Sequence, residues 1–212
     1  EGLEETLNRY RGKLSGILNG IDTKEFNPLT DLLIKQNYSR SSLYLRKKNK
    51  ADLQLKFGLP VNEHIPVLAY SGRLSKQKGI DLLLECLPKL AAEFNFQCII
   101  LGKENMTYGQ ELQKLKDKYP DKISLHLYPD FKLPRKIFAG ADIILLPSLF
   151  EPCGIVAIEA LRYGAIPIVR KTGGLSDIVT DFSPETLTGN GFIFKKSSSW
   201  ALFAAVVRGI QL

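Results

Sequence analysis

The stretch IPVLAYSGRLSKQKGIDLLLECLPKLAAEFNFQCIIL, residues 65–101, decides the fold class. It opens on a short apolar run, IPVLAYS (65–71), and closes on another, QCIIL (97–101). Neither alternates strictly between apolar and polar residues, which is how strands buried on both faces read. Between them, IDLLLECLPKLAAEF (80–94) sets Leu83, Leu87, Leu90 and Phe94 at three- and four-residue steps. That spacing is the apolar stripe of a helix facing a core.

The same rhythm continues outward. ISLHLY (123–128), DIILLP (142–147), AIPIVR (165–170) and GFIF (191–194) read as further strands. GQELQKLKDKY (109–119), PRKIFAGA (134–141), GIVAIEALRYG (154–164) and SWALFAAVVRG (199–209) read as helices. Strand–helix alternation of this kind predicts an α/β domain with a doubly wound, mostly parallel sheet. Residues 1–63 are polar and irregular, with turn formers in NGIDTKEFNP (19–28) and a helix near 45–57 stopped by Gly58 and Pro60.

The chain has 212 residues, 44% hydrophobic and 24% charged, an ordinary globular composition. No apolar run approaches the roughly 20 residues of a membrane span, and no membrane partner is expected. The opening EGLEETLNRYRGK is too polar for a signal peptide, and the missing initial methionine points to a fragment or a processed chain. A net charge of +7 fits a phosphate-bearing ligand as well as it fits nucleic acid. The densest basic run, Arg46, Lys47, Lys48 and Lys50, has no interleaved aromatics, so it reads as a solvated helix face and nucleic acid is disfavoured. Cys86 and Cys98 lie in apolar settings and no CxxC spacing occurs, which favours a reducing, cytoplasmic compartment. His64 and His126 lack ligand-spaced partners, so no metal is expected.

In an open parallel sheet, ligands bind beyond the carboxyl ends of the strands. The segments there are SGRLSKQKG (71–79), GKEN (102–105), PSLFEPCG (147–154) and RKTGGL (170–175), rich in glycine and unusual polar residues. Arg73 and Lys78 could clamp a pyrophosphate, one as a fork and one as a point charge. Taken alone, they read more readily as surface charges beside an ordinary βα loop. Thr172, Gly173 and Gly174 precede a helix start near Ser176, where amides could receive an anion or simply make a turn. Glu151 and Glu159 are eight positions apart; if both sat on one helix they would point into a cleft from different depths. Glu159 lies among apolar residues and needs a partner if buried. Neither GxGxxG nor GxxxxGK[ST] occurs, which speaks against dinucleotide oxidoreductases and P-loop NTPases.

Five segments in order, LSGILNGIDTKEFNP (14–28), LQLKFGLP (53–60), SGRLSKQKGIDLL (71–83), AGADIILLPSLFEPCG (139–154) and LRYGAIPIVRKTGGLSDIV (161–179), resemble the carboxyl-terminal half of a bacterial-type glycogen (starch) synthase. The resemblance implies the Rossmann-like carboxyl-terminal domain of a GT-B retaining glucosyltransferase, with glucose moving from ADP-glucose to the non-reducing end of an α-1,4-glucan. It implies no metal and no cofactor beyond the donor. It gives Arg73 and Lys78 the donor diphosphate, and it places Glu151 beside the transferred glucose. Cys153 and Gly154 fall in the turn that meets the sugar, Thr172, Gly173 and Gly174 in a loop offering amides to sugar and phosphate, and Tyr128 near the adenine. Residues 1–18 then read as the end of an amino-terminal domain or a linker, and 19–212 as the donor domain, truncated at its carboxyl end.

Two departures stand out. Glu159 completes an E-x7-E spacing found in the broader retaining GT-B families, where the second glutamate meets the ribose, and this opens the choice between ADP and UDP. The family's turn after the second strand is replaced by GKENMTYG (102–109). The amino-terminal Rossmann domain is a missing partner, so the chain alone is expected to bind donor weakly and transfer no glucose. Competing readings are another retaining GT-B transferase with a different donor or acceptor, and a non-catalytic nucleotide-sugar-binding module.

Overall fold

The computed structural model describes residues 2–103, 106–128 and 130–212; Glu104 and Asn105 of the GKEN segment lie outside the described residues. Strands β1 (Val67–Ser71), β2 (Gln97–Leu101), β3 (Ile123–His126), β4 (Ile143–Leu146), β5 (Ile166–Arg170) and β6 (Phe192–Phe194) form one sheet in the order β3-β2-β1-β4-β5-β6. Every pairing is parallel. The helices are α1 (Glu4–Arg9), α2 (Arg46–Lys56), α3 (Ile80–Glu93), α4 (Met106–Lys118), α5 (Leu133–Gly140), α6 (Ile155–Arg162), α7 (Leu175–Ile178) and α8 (Ser199–Ile210).

Both faces of the sheet are covered, as the apolar runs require. Within β1, Leu68 and Tyr70 point into one core cluster with residues of α3, α4 and α8. Val67 and Ala69 point into the other, with residues of α2, α5, α6 and α7. The alternation follows from the two-residue side-chain period of a strand. Each fully buried leucine or isoleucine in these layers contributes about 1.5–3 kcal/mol. Cys86 and Cys98 are buried in the first cluster as free thiols, and burial pushes each up to about 12.

The expected strands and helices are present with shifted ends. β3 stops at His126, leaving Leu127 and Tyr128 outside it. α4 starts at Met106, so Gly109 lies inside the helix beside Leu127. The segment before β1 is more than a polar leader. Ile34 and Tyr38 are buried in the second cluster. Tyr38 donates to the Tyr163 carbonyl at 2.7 Å, and the Tyr163 hydroxyl donates to Asp31. Buried polar bonds thus fasten a stretch that has little regular structure of its own. By contrast, residues 2–20 are exposed throughout.

The basic run on α2 corrects the expectation of a solvated face. Lys47 and Lys48 are exposed, but Lys50 is buried and its Nζ lies 2.7 Å from Asp142 Oδ2. It also donates to the Glu63 carbonyl at 2.9 Å. Arg46 donates to the carbonyls of Phe138 and Ala141, at 3.2 and 2.6 Å. The physical reason is distance along the chain: the partners lie on α5 and just before β4, so the run read in isolation shows only charge.

Replacing Asp142 with alanine leaves the Lys50 ammonium buried without its counterion. The Asp142 side chain is 37% exposed, so the loss is smaller than for a fully buried pair. The expected destabilisation is about 2 kcal/mol, read from urea denaturation midpoints. A change below about 0.5 kcal/mol would show the pair to be a surface contact.

Candidate active site

The order β3-β2-β1-β4-β5-β6 reverses direction between β1 and β4. A crevice opens beyond the carboxyl ends at such a point, because the loops leaving the two central strands part to opposite faces. Those loops are residues 72–79 and 147–154.

The first loop is shaped from below by Tyr70, whose hydroxyl donates to the Arg73 carbonyl at 2.6 Å. Burial pushes the Tyr70 phenol well above its ordinary value, so it remains a donor. The loop then closes through a short turn, Lys76–Lys78, into Gly79. Gly79 has φ +74, and a Cβ there would lie 2.1 Å from the Pro147 carbonyl oxygen. Only glycine fits, and the two loops touch backbone to backbone. The Leu149 amide donates to the Gln77 carbonyl at 2.8 Å, completing the seam.

The second loop is held from its other side by β5 and the glycine-containing turn between β5 and α7. Arg170 donates to the carbonyls of Ser148, at 2.8 Å, and Leu149. Thr172 Oγ1 donates to the Leu149 carbonyl at 3.5 Å. Gly173 has φ +47, and a Cβ on it would meet the Glu151 carbonyl oxygen at 2.0 Å. The Glu151 loop is therefore gripped between its two neighbours.

This framework brings Lys78 and Glu151 together. Lys78 Nζ lies 2.6 Å from Glu151 Oε2, with both side chains largely buried. Ser148 Oγ donates to the same oxygen at 3.1 Å. Arg73 is exposed on the same loop as Lys78, and its Nη2 reaches Gln77 Oε1 at 3.5 Å. A small cavity of about 70 Å³ is bounded by Gly72, Lys78, Ser148, Glu151 and Gly154 among others. Cys153 is half-buried beside it in sequence. Two larger hollows of about 560 and 550 Å³ lie on other flanks of the domain. The first of these runs beside β3 and includes Tyr128. Volume alone would place the site there, but the paired charges are at the β1–β4 crevice, and charge chemistry is the better guide. β3 is two strands from β1, about 10 Å across the sheet, so Tyr128 stands apart from the Lys78–Glu151 pair.

Two expectations are corrected. The Gly174 amide does not stand open to an anion, because it donates to the carbonyls of Glu151 and Pro152 at 3.1 and 3.2 Å. These glycines serve close packing, and α7 behind them is only four residues long. Glu151 and Glu159 also do not share a helix. Gly154, with φ +77, precedes α6, so Glu151 sits in the loop. Glu159 lies on α6, half-buried; burial pushes its carboxyl up to about 7, Arg135 opposes the shift, and Glu25 adds to it. Among the described residues, no group of three or more His, Cys, Asp or Glu side chains could hold a metal ion, and no helix is long and apolar enough to cross a membrane.

Residues 53–210 match the family described as glycosyl transferases, group 1. The chain belongs to the group 1 glycosyl transferases. It is 44% identical to a glycogen synthase of Bacillus cereus and 43% identical to one of Thermotoga petrophila, each over 211 residues. Those matches cover the whole of this chain and 44% and 43% of the relatives, so the chain spans less than half of their length. The catalytic domain of starch synthase IV from Arabidopsis thaliana, solved with ADP and acarbose bound, superposes with a TM-score of 0.90 at 34% identity. That superposition covers 99% of this chain and 44% of the plant structure. This group 1 glycosyl transferase sheet is thus the carboxyl-terminal Rossmann-like domain of the GT-B architecture.

Reading the sequence missed Tyr70, Gln77, Ser148 and Arg170, the residues that orient the transferase loops. For Tyr70, Ser148 and Arg170 the one visible signal was position at or just past a strand end, and Gln77 carried none.

The Glu159 carboxyl titrates in the fold near 7 and in the unfolded chain near 4.5. The folded state therefore holds the proton more tightly, and stability falls as pH rises through that window. Glu159→Gln removes this fall. Its stability relative to the parent is expected to rise between pH 5 and pH 8 by about 1–2 kcal/mol, discounted for partial exposure. Urea titrations at the two pH values measure it, and a pH-independent difference would contradict the assignment.

Proposed function

We propose that this chain is the donor half of a glycogen synthase, an enzyme that moves glucose from ADP-glucose to the non-reducing end of an α-1,4-glucan with retention at the anomeric carbon. The observation that carries the reading is the Lys78–Glu151 pair, with Arg73 on the same loop as Lys78, at the crevice where the strand order reverses. The identity to glycogen synthases over the whole chain supports it.

The chemistry follows from charge. Breaking the bond between glucose and diphosphate puts negative charge on the departing oxygen. Lys78 is held against Glu151 before the bond breaks and Arg73 stands on the same loop, so two cations are at hand for that oxygen. Glu151 Oε2 accepts from both Lys78 and Ser148. A carboxylate so engaged is a weak nucleophile, which suits it to holding sugar hydroxyls. Tyr128 is proposed to meet the adenine, and the roughly 10 Å between β3 and β1 leaves room for a nucleotide lying along the rim. Cys153 and Gly154 line the sugar end, with Thr172 and Gly173 behind them. The acceptor glucan and the amino-terminal Rossmann domain are the proposed partners, the cytoplasm the proposed compartment, and no metal or further cofactor is invoked.

In the full-length enzyme, Arg73→Ala or Lys78→Ala is expected to lower kcat by roughly 10²–10³. The 212-residue chain by itself is expected to bind ADP weakly, by calorimetry, and to extend no glucan. Substitutions that leave kcat intact would sink the assignment of the cations.

A second reading, a retaining GT-B transferase with a different donor, rests on Glu159 and its E-x7-E spacing. Competition between ADP-glucose and UDP-glucose on the intact enzyme separates the two. Preference for ADP-glucose supports the synthase, and preference for UDP-glucose the alternative.

A further inference from the structure

We infer that Gln77 is a positioning residue that sets the Arg73 guanidinium against the loop carrying Glu151. The inference rests on the donor-half reading above. Gln77 touches both sides of the seam. Its carbonyl accepts the Leu149 amide at 2.8 Å. Its side-chain oxygen accepts from Arg73 Nη2 at 3.5 Å, and its side-chain nitrogen donates to the Phe150 carbonyl at 3.4 Å. Phe150 immediately precedes Glu151. One planar amide therefore spans the loop of the cations and the loop of the carboxylate.

The residue type matters. An amide offers an acceptor and a donor in one plane, which neither a carboxylate nor an ammonium does. Lys78 has its own orienting partner in Glu151, whereas Arg73 is exposed. Among the described residues, Gln77 is the hydrogen-bond partner of the Arg73 side chain. Held at one nitrogen, the guanidinium keeps its remaining donors for phosphate oxygens. Both side-chain bonds are long, at the outer limit of hydrogen bonding, and each joins exposed groups.

Gln77 is itself exposed, so replacing it leaves the core intact, and alanine keeps the backbone bond to Leu149. The test is a double-mutant cycle in the full-length enzyme. Gln77→Ala is expected to lower kcat/KM for ADP-glucose about tenfold with Tm unchanged, since small displacements of a clamping group carry losses of that order. In the Arg73→Ala background the same change is expected to have an effect below about twofold. Gln77→Glu, which keeps the acceptor toward Arg73 but loses the donor to the Phe150 carbonyl, is expected to recover little of the loss. Equal losses in both backgrounds, or no loss in either, overturn the inference. If the parent enzyme transfers no glucose from ADP-glucose, the functional reading fails by itself, and the cycle is read as ADP affinity by calorimetry. Weakening confined to the Arg73 background then supports the positioning role, while equal weakening, none, or no ADP binding by the parent overturns it.

Discussion

Gly79 meets the carbonyl of Pro147 at a distance that admits no side chain, and the placement of the charged groups follows from that contact. The two loops leaving the central strands are pressed together, backbone on backbone. Lys78, one residue before Gly79, is thereby delivered to Glu151, four residues after Pro147. Neither charge would hold its position on a free loop, because long side chains lose rotamer entropy when ordered. The seam between Leu149 and Gln77, the bonds from Arg170, and the Gly173 approach to the Glu151 carbonyl all reinforce the same placement.

The rest of the fold serves to hold β1 and β4 side by side. Both lie in the middle of the sheet and are covered on each face by a separate core cluster. Buried polar contacts then fasten the less regular parts. Gln54 donates to Gln97 at 2.8 Å in the interior, and Gln97 donates to the Pro60 carbonyl at 2.7 Å, tying α2 and the loop after it to β2. Such contacts are sensitive to substitution, because removing one partner leaves the other buried and unpaired.

Much of this architecture is legible in the chain itself. Apolar runs such as QCIIL and IILL announce doubly covered strands, and a parallel sheet has its ligand crevice at one known end. Hence Arg73, Lys78 and Glu151 are readable as candidates from position and type. What stays hidden is backbone conformation and long-range pairing. The positive φ of Gly154 leaves Glu151 in the loop before α6, a backbone conformation that residue type does not by itself reveal. The engagement of the Gly174 amide, and the burial of Lys50 against Asp142, depend on groups remote in the chain. Gln77 looks like filler between two lysines. Its role emerges only once Phe150 is known to lie beside it.

The distribution of the three thiols has a practical corollary. Cys86 and Cys98 are sealed inside the sheet–helix layer and held protonated at neutral pH, so an alkylating reagent finds almost no thiolate there. Cys153 is half-buried, two residues past Glu151. Of the three thiols, Cys153 is thus the one a fluorophore can reach in the folded domain, on the loop that carries Glu151.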